Sequence, residues 1–147
     1  MEFILSNNLT EDQWQKYFEL DRELALRYIP DKHDPDCSID KFRKKVQQRR
    51  VVDSTYNDYC LFDADNAVGW LDYSTWGGKE LYWSLNALYD EIPGDVLKAF
   101  LSKMNELMKT NGFKESVYPA FREGIINSFK NINTPCMKKY LFHGLKE

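Results

Sequence analysis

Residues 67–113 read AVGWLDYSTWGGKELYWSLNALYDEIPGDVLKAFLSKMNELMKTNGF, and two kinds of local pattern meet inside them. The stretches 67–73 and 81–85 are rich in aromatic and branched side chains and are separated by Gly77-Gly78. That is the composition of two strands joined by a reversal. From Leu97 the pattern changes: Leu97, Phe100, Leu101, Met104, Leu107 and Met108 recur at three- and four-residue spacing, the apolar stripe of an amphipathic helix. Pro93 suits the first turn of such a helix, where its missing N–H costs nothing. Gly112 after Asn111 is a typical helix stop.

On the N-terminal side, residues 59–62 form another strand, and Asp63-Ala64-Asp65-Asn66 turns it back into 67–73, so the middle of the chain is an antiparallel meander of three strands. A short apolar strand at 3–5 opens the chain. Thr10 with Gln13 three residues on makes a capping box, and Trp14, Tyr17, Phe18, Leu24 and Tyr28 give the helix that follows one apolar face. Pro30 ends it. Ser38 caps a second, shorter helix carrying Phe42 and Val46. Beyond the long helix, 115–118 reads as a strand, about 122–131 as a helix and 137–142 as a last strand. The expectation is one α+β domain over 1–147 in the order β-α-α-β-β-β-α-β-α-β. Its sheet would be mixed but mostly antiparallel, with about six strands, and four helices would pack on it.

Bulk properties narrow the function. With 147 residues, 43% hydrophobic and 29% charged, the chain has the size and composition of one globular domain. The net charge of −3 and the dispersed acids argue against nucleic acid as a partner. The basic cluster of Lys41, Arg43, Lys44, Lys45, Arg49 and Arg50 reads as the wet face of the second helix. Cys37, Cys60 and Cys136 are odd in number and far apart, no secretory signal is visible, and no apolar run is long enough to span a bilayer. The expected setting is therefore cytoplasmic, with free thiols and no membrane partner. The run Asp31, His33, Asp34, Asp36 and Cys37 matches no metal spacing, so no metal is expected.

This order of elements resembles that of the GNAT acyltransferases, the acyl-CoA-dependent N-acetyltransferases. The local likeness is strongest where Gly69-Trp70-Leu71 on a strand is followed by the meander, by a long helix ending in Asn111-Gly112-Phe113, and by a further strand and helix. The chain also looks like the degenerate first half of tandem GNAT proteins. The resemblance implies acetyl-CoA or another acyl-CoA as cofactor and an amine as acceptor. It implies that main-chain groups of Trp83, Ser84 and Leu85 hold the pantetheine arm, with Ser116 on a facing strand that splays away at 116–118. It also puts a phosphate-binding turn at 90–95, with Gly94 and Asp95 where the long helix begins.

Two features depart from the family pattern. The turn normally reads Gln or Arg, two residues, Gly, one residue, then Gly or Ala. With Gly94 as the first glycine those outer positions are Glu91 and Val96; with Gly94 as the second they are Tyr89 and Ile92. Asp90, Glu91 and Asp95 also carry the charge of a pyrophosphate. The second departure falls at Arg122, Ile125 and Phe129, where many relatives have Asn, a small residue and a proton-donating Tyr. Tyr118 or Tyr140 could supply that proton instead. For the acceptor amine a general base is needed within reach, and Asp72 and Glu80, on or beside the meander strands, are the carboxylate candidates. A second reading has the same fold without acyl transfer, binding a small molecule or a protein partner through an aromatic cleft of Trp70, Tyr73, Trp76, Tyr82 and Trp83; either form could be oligomeric.

Overall fold

The computed structural model describes residues 1–75, 77–78, 81–90, 92–113 and 116–117. Strand β1 (Glu2–Leu5) leads through a short 3-10 turn into helix α1 (Glu11–Tyr28), and helix α2 (Ile39–Val52) follows. Strands β2 (Asn57–Asp63), β3 (Asn66–Ser74) and β4 (Leu81–Ala87) form the meander, and helix α3 (Gly94–Asn111) returns the chain to β5 (Ser116–Val117). The sheet order is β1-β2-β3-β4-β5. The first four strands are antiparallel neighbours, and β5 runs parallel to β4. The described residues thus hold five strands and three α-helices of the six and four expected. The helix at 122–131 and the strand at 137–142 lie outside them.

The helix ends follow the local chemistry. The Thr10 hydroxyl accepts the Gln13 N–H at 3.2 Å, and the Gln13 side chain accepts the Thr10 N–H at 3.0 Å. Two N–H groups that the helix itself cannot satisfy are thereby paired. Ser38 accepts the Lys41 N–H at the start of α2. Gly112 is left-handed at φ 71, and Phe113 N–H closes back onto Met108 C=O at 2.9 Å, which ends α3. Pro93 stands one residue earlier than expected, just before the helix, with Gly94 as its first residue.

The two sheet faces are covered differently. Leu61, Leu71, Tyr73, Leu81, Trp83, Leu85 and Ala87 meet the α3 stripe on one side. Seven buried α3 side chains represent on the order of 10–20 kcal/mol of transfer free energy, an upper figure that far exceeds any difference in helix propensity. On the other side Cys60, Phe62 and Trp70 meet Trp14, Tyr17, Phe18, Phe42 and Val46 of α1 and α2. A bulge between Leu61 and Phe62 leaves Val68 as the extra residue of β3. Gly69 then lies under Phe100: a Cβ there would stand 2.5 Å from the Asn86 carbonyl oxygen and 2.9 Å from the Phe100 ring. Only glycine lets α3 approach β3 so closely.

Candidate functional site

Strand pairing alone brings three polar residues into a row. Asp58 of β2 is the partner of Asp72 of β3, and Asp72 is the partner of Ser84 of β4. Paired residues share a face, here the one facing α1 and α2. The Asp72 carboxylate accepts two hydroxyls: Ser84 donates to Oδ1, and Tyr56 donates to Oδ2 at 3.1 Å. Arg49 Nη1 donates to the Tyr56 hydroxyl oxygen at 3.1 Å, and its guanidinium lies 5.8 Å from the Tyr56 ring centroid. Arginine has no acceptor, so the single Tyr56 proton is directed to Asp72. The chain Arg49–Tyr56–Asp72–Ser84 therefore has a fixed direction.

Its electrostatics follow from position. Burial pushes the Asp72 carboxyl above the ordinary carboxylate range; the Ser84 and Tyr56 hydroxyls and the Arg49 charge pull it back, and the Asp58 charge adds to the rise. Burial, with the negative charge of Asp72, also raises Tyr56, which stays a protonated donor. Burial opposes the Arg49 charge, but Tyr56 and Asp72 favour it, and the guanidinium remains charged. Asp72 and Ser84 line a cleft of about 200 Å³ at this end of the sheet together with Tyr56, Tyr73, half-open Tyr82 and Trp83. A partly buried carboxylate with raised proton affinity, held on both oxygens at the wall of a cleft, is what a general base requires.

Asp58, the other carboxylate of the row, is closed off. It has no exposed surface and accepts from Arg50 Nη2 at 2.7 Å, the Ser6 hydroxyl at 2.6 Å and the Tyr17 hydroxyl at 3.0 Å. This cluster ties the 3-10 turn after β1 to α1, α2 and β2 and is structural. Beside it, Asp53 accepts from Ser74 and from the Thr55 hydroxyl and N–H, fixing the link between α2 and β2 against the end of β3.

The basic cluster on α2 is only partly the wet face expected. Lys41 and Arg43 form ion pairs with Asp34 and Glu11 at the surface, but Arg50 is turned inward to Asp58 with 18% of its side chain exposed. Asp58 carried a signal in the sequence: it alternates with Cys60 and Phe62, in phase with an apolar face. Tyr56 and Arg49 carried none, since a loop tyrosine and a helix-end arginine meet only in three dimensions.

Of the other expected site residues, Glu80, Tyr118 and Tyr140 lie outside the described residues. The side chains of Trp83 and Leu85 point into the α3 core at 2% exposure each, while Ser84 between them points to Asp72. The facing strand does not splay at 116–117 as expected, because Ser116 pairs with Leu81 and Val117 with Tyr82; the rest of it lies outside the described residues. Gly94 begins α3, no side chain caps that helix, and nothing described lies within 4 Å of a Cβ built on Gly94. Asp95 is exposed in the first turn. Asp90 accepts the Tyr28 hydroxyl at 3.2 Å, which engages one of the turn's acids with α1.

Of the five rings expected in an aromatic cleft, Tyr73, Tyr82 and Trp83 do line the cleft beside Asp72. Trp70 packs against Tyr17 on the α1 and α2 face, whereas Tyr73 and Trp83 belong to the α3 core. Side chains three positions apart on a strand take opposite sides, which separates Trp70 from Tyr73. Trp76 lies outside the described residues. No group of potential metal ligands is present, and no helix is long and apolar enough to cross a membrane, among the described residues.

No protein-family profile and no curated protein matches the chain. Solved structures do. An aminoglycoside acetyltransferase from an uncultured soil metagenomic sample, in complex with trehalose, shares 14% identity at TM-score 0.62, over 99% of this chain and 95% of that one. The PaiA N-acetyltransferase of Thermoplasma acidophilum, in complex with coenzyme A, shares 15% at TM-score 0.57, over 88% and 87%. The Campylobacter jejuni N-acetyltransferase PseH, in complex with acetyl coenzyme A, shares 14% at TM-score 0.55, over 88% and 82%. The chain has the GNAT fold.

Proposed function

We propose that this chain is an acyltransferase that moves an acyl group from acetyl-CoA or a related acyl-CoA to an amine, with Asp72 as the general base. The observation that carries this reading is the doubly held Asp72 carboxylate, in a cleft, one strand from Ser84 of β4. Fold alone would not suffice, because one fold hosts many functions.

The start of α3 is compatible with the phosphates of such a cofactor. Its first N–H groups have no side-chain cap, the space at Gly94 is open among the described residues, and Asp90 is occupied by Tyr28. A helix start of this kind favours an anion by about 0.3–1 kcal/mol, and the Asp95 charge opposes it on the same scale. Gly94 and Asp95 would hold the phosphates through main-chain N–H groups. Main-chain groups of Trp83, Ser84 and Leu85 would hold the pantetheine arm, beyond the point where Ser116 and Val117 pair with Leu81 and Tyr82. Acyl-CoA, when bound, supplies a thioester-activated acyl carbon, so that the new C–N bond forms as the C–S bond breaks and the thiol departs.

The chain's own residues manage the proton. Asp72 accepts it from the amine, directly or through one water. Tyr56 and Ser84 hold the two carboxylate oxygens, so the base does not rotate away, and Arg49 keeps the Tyr56 proton aimed at it. The raised proton affinity of Asp72 brings it closer to the amine and makes the transfer less uphill.

Acetyl-CoA binding is tested by thermal unfolding. A ligand that binds only the folded chain stabilises it by about 2.7 kcal/mol at one hundred times its Kd. A rise in Tm with acetyl-CoA and with free CoA supports the reading. An unchanged Tm with both at millimolar concentration removes it.

A further inference from the structure

A second groove adjoins the Asp72 cleft and shares Tyr56 with it. Lys45, Gln48, Arg49 and Val52, successive positions on the outer face of α2, line it together with Asp53 and Tyr56, and it encloses about 480 Å³. Neither Lys45 nor Arg49 has a carboxylate within ion-pair distance among the described residues. Arg49 spends one donor on Tyr56, which leaves the rest of its fork for another acceptor. Asp72 meets Arg49 only through the Tyr56 hydroxyl, and two further carboxylates lie nearby. Asp53 is engaged by Ser74 and Thr55. Asp21, on α1, feels both cations but forms an ion pair with neither among the described residues, and burial raises its carboxyl more than they lower it. Val52 and the Tyr56 ring give the groove an apolar part beside the cations.

The spacing of base and cation is the informative quantity. Two hydrogen bonds of 3.1 Å, through one hydroxyl, put the Arg49 guanidinium no more than about 6 Å from the Asp72 carboxylate. An amine held by Asp72 and an anionic group held by Arg49 must then belong to one short skeleton. We infer that the acceptor is a small amino acid, an amine carrying its own carboxylate a few bonds away. The amine meets Asp72, the carboxylate meets Arg49 and Lys45, and an apolar side chain rests on Val52 and Tyr56. This rests on the acyltransferase reading and narrows its acceptor. Acceptors that are purely cationic place a second positive charge beside Lys45 and Arg49, and are disfavoured for that reason.

The test compares leucine with leucinamide as acceptors for acetyl-CoA, following thiol release, and uses the full chain and its Lys45→Glu variant. Lys45 is exposed, so its replacement leaves the fold intact. The expected result is kcat/KM at least tenfold higher for leucine in the wild type, with that preference lost in Lys45→Glu. Calorimetry gives a second readout, independent of turnover: N-acetylleucine binds at least tenfold more tightly than N-acetylleucinamide, and Lys45→Glu removes the difference. Equal use of both acceptors, or preference for the amide, overturns the amino acid as acceptor and leaves acyl transfer standing. Thiol release with other amines but with neither of these has the same consequence. Absence of both acetyl-CoA binding and thiol release overturns the acyltransferase reading and this inference with it.

Discussion

Replacing Arg50 by Met keeps most of the side-chain stem but strips Asp58 of its counter-charge. Asp58 has no exposed surface, so the variant leaves a buried carboxylate with only the Ser6 and Tyr17 hydroxyls as donors among the described residues. Removing one partner of a buried ion pair costs about 3–5 kcal/mol. The value expected here is near 3 kcal/mol, because Arg50 is still 18% exposed and water recovers part of the loss. For a chain of this size each kcal/mol moves Tm by about 2–4 °C, so a fall of about 6–12 °C is expected in a thermal melt. Urea titration should show the midpoint shifting with little change in slope. Adding Asp58→Asn removes the stranded charge and should recover at least 1 kcal/mol of the loss, a coupling typical of residues in direct contact. An Arg50→Met melt within 1 °C of wild type, or a double variant no more stable than the single one, refutes the view of this pair as the clasp of the α1 and α2 face.

Two other perturbations have firm signs. Gly69→Ala puts a methyl group against the Asn86 carbonyl and the Phe100 ring, and the overpacking should cost about 1–3 kcal/mol, read from the same urea titration. Tyr56→Phe removes a donor from the ionised form of Asp72, which raises its proton affinity further. The base is then protonated up to a higher pH, so the acid limb of the kcat/KM profile should move to higher pH, with the fold intact by circular dichroism; an unmoved limb contradicts the role given to Tyr56.

The same shift has a consequence for stability. A carboxyl raised in the folded state is best tolerated when protonated, so its contribution to folding is most favourable below its unfolded pKa and declines as pH rises through its folded pKa. At neutral pH the Asp72 charge therefore works against stability.

Much of the architecture was legible before any coordinates, and for identifiable reasons. The capping box at Thr10 and Gln13, the stripe from Leu97 to Met108 and the stop at Gly112 are local signals, and each is where it was expected. The hairpin at 63–66 was also readable, although Ala64 takes a left-handed φ of 52 that its identity does not advertise. Asp72 could be named as a base candidate from its place on a strand. Its partners could not, because Tyr56 and Arg49 reach it through packing across α2 and the sheet. Trp70 falls outside the expected aromatic cleft because composition counts rings but does not say which side of a strand each one takes. The inward turn of Arg50 was hidden in a run of surface cations, and only the buried Asp58 opposite it gives the reason.

Thiol release from acetyl-CoA, measured with a panel of amines for the wild type and for Asp72→Asn, bears most directly on Asp72 as the base of an acyl transfer. The expected result is turnover by the wild type and a loss of about 10²–10⁴-fold in Asp72→Asn, with the Tm rise from acetyl-CoA unchanged. Wild-type turnover by Asp72→Asn, or no thiol release by the wild type with any amine, would contradict it.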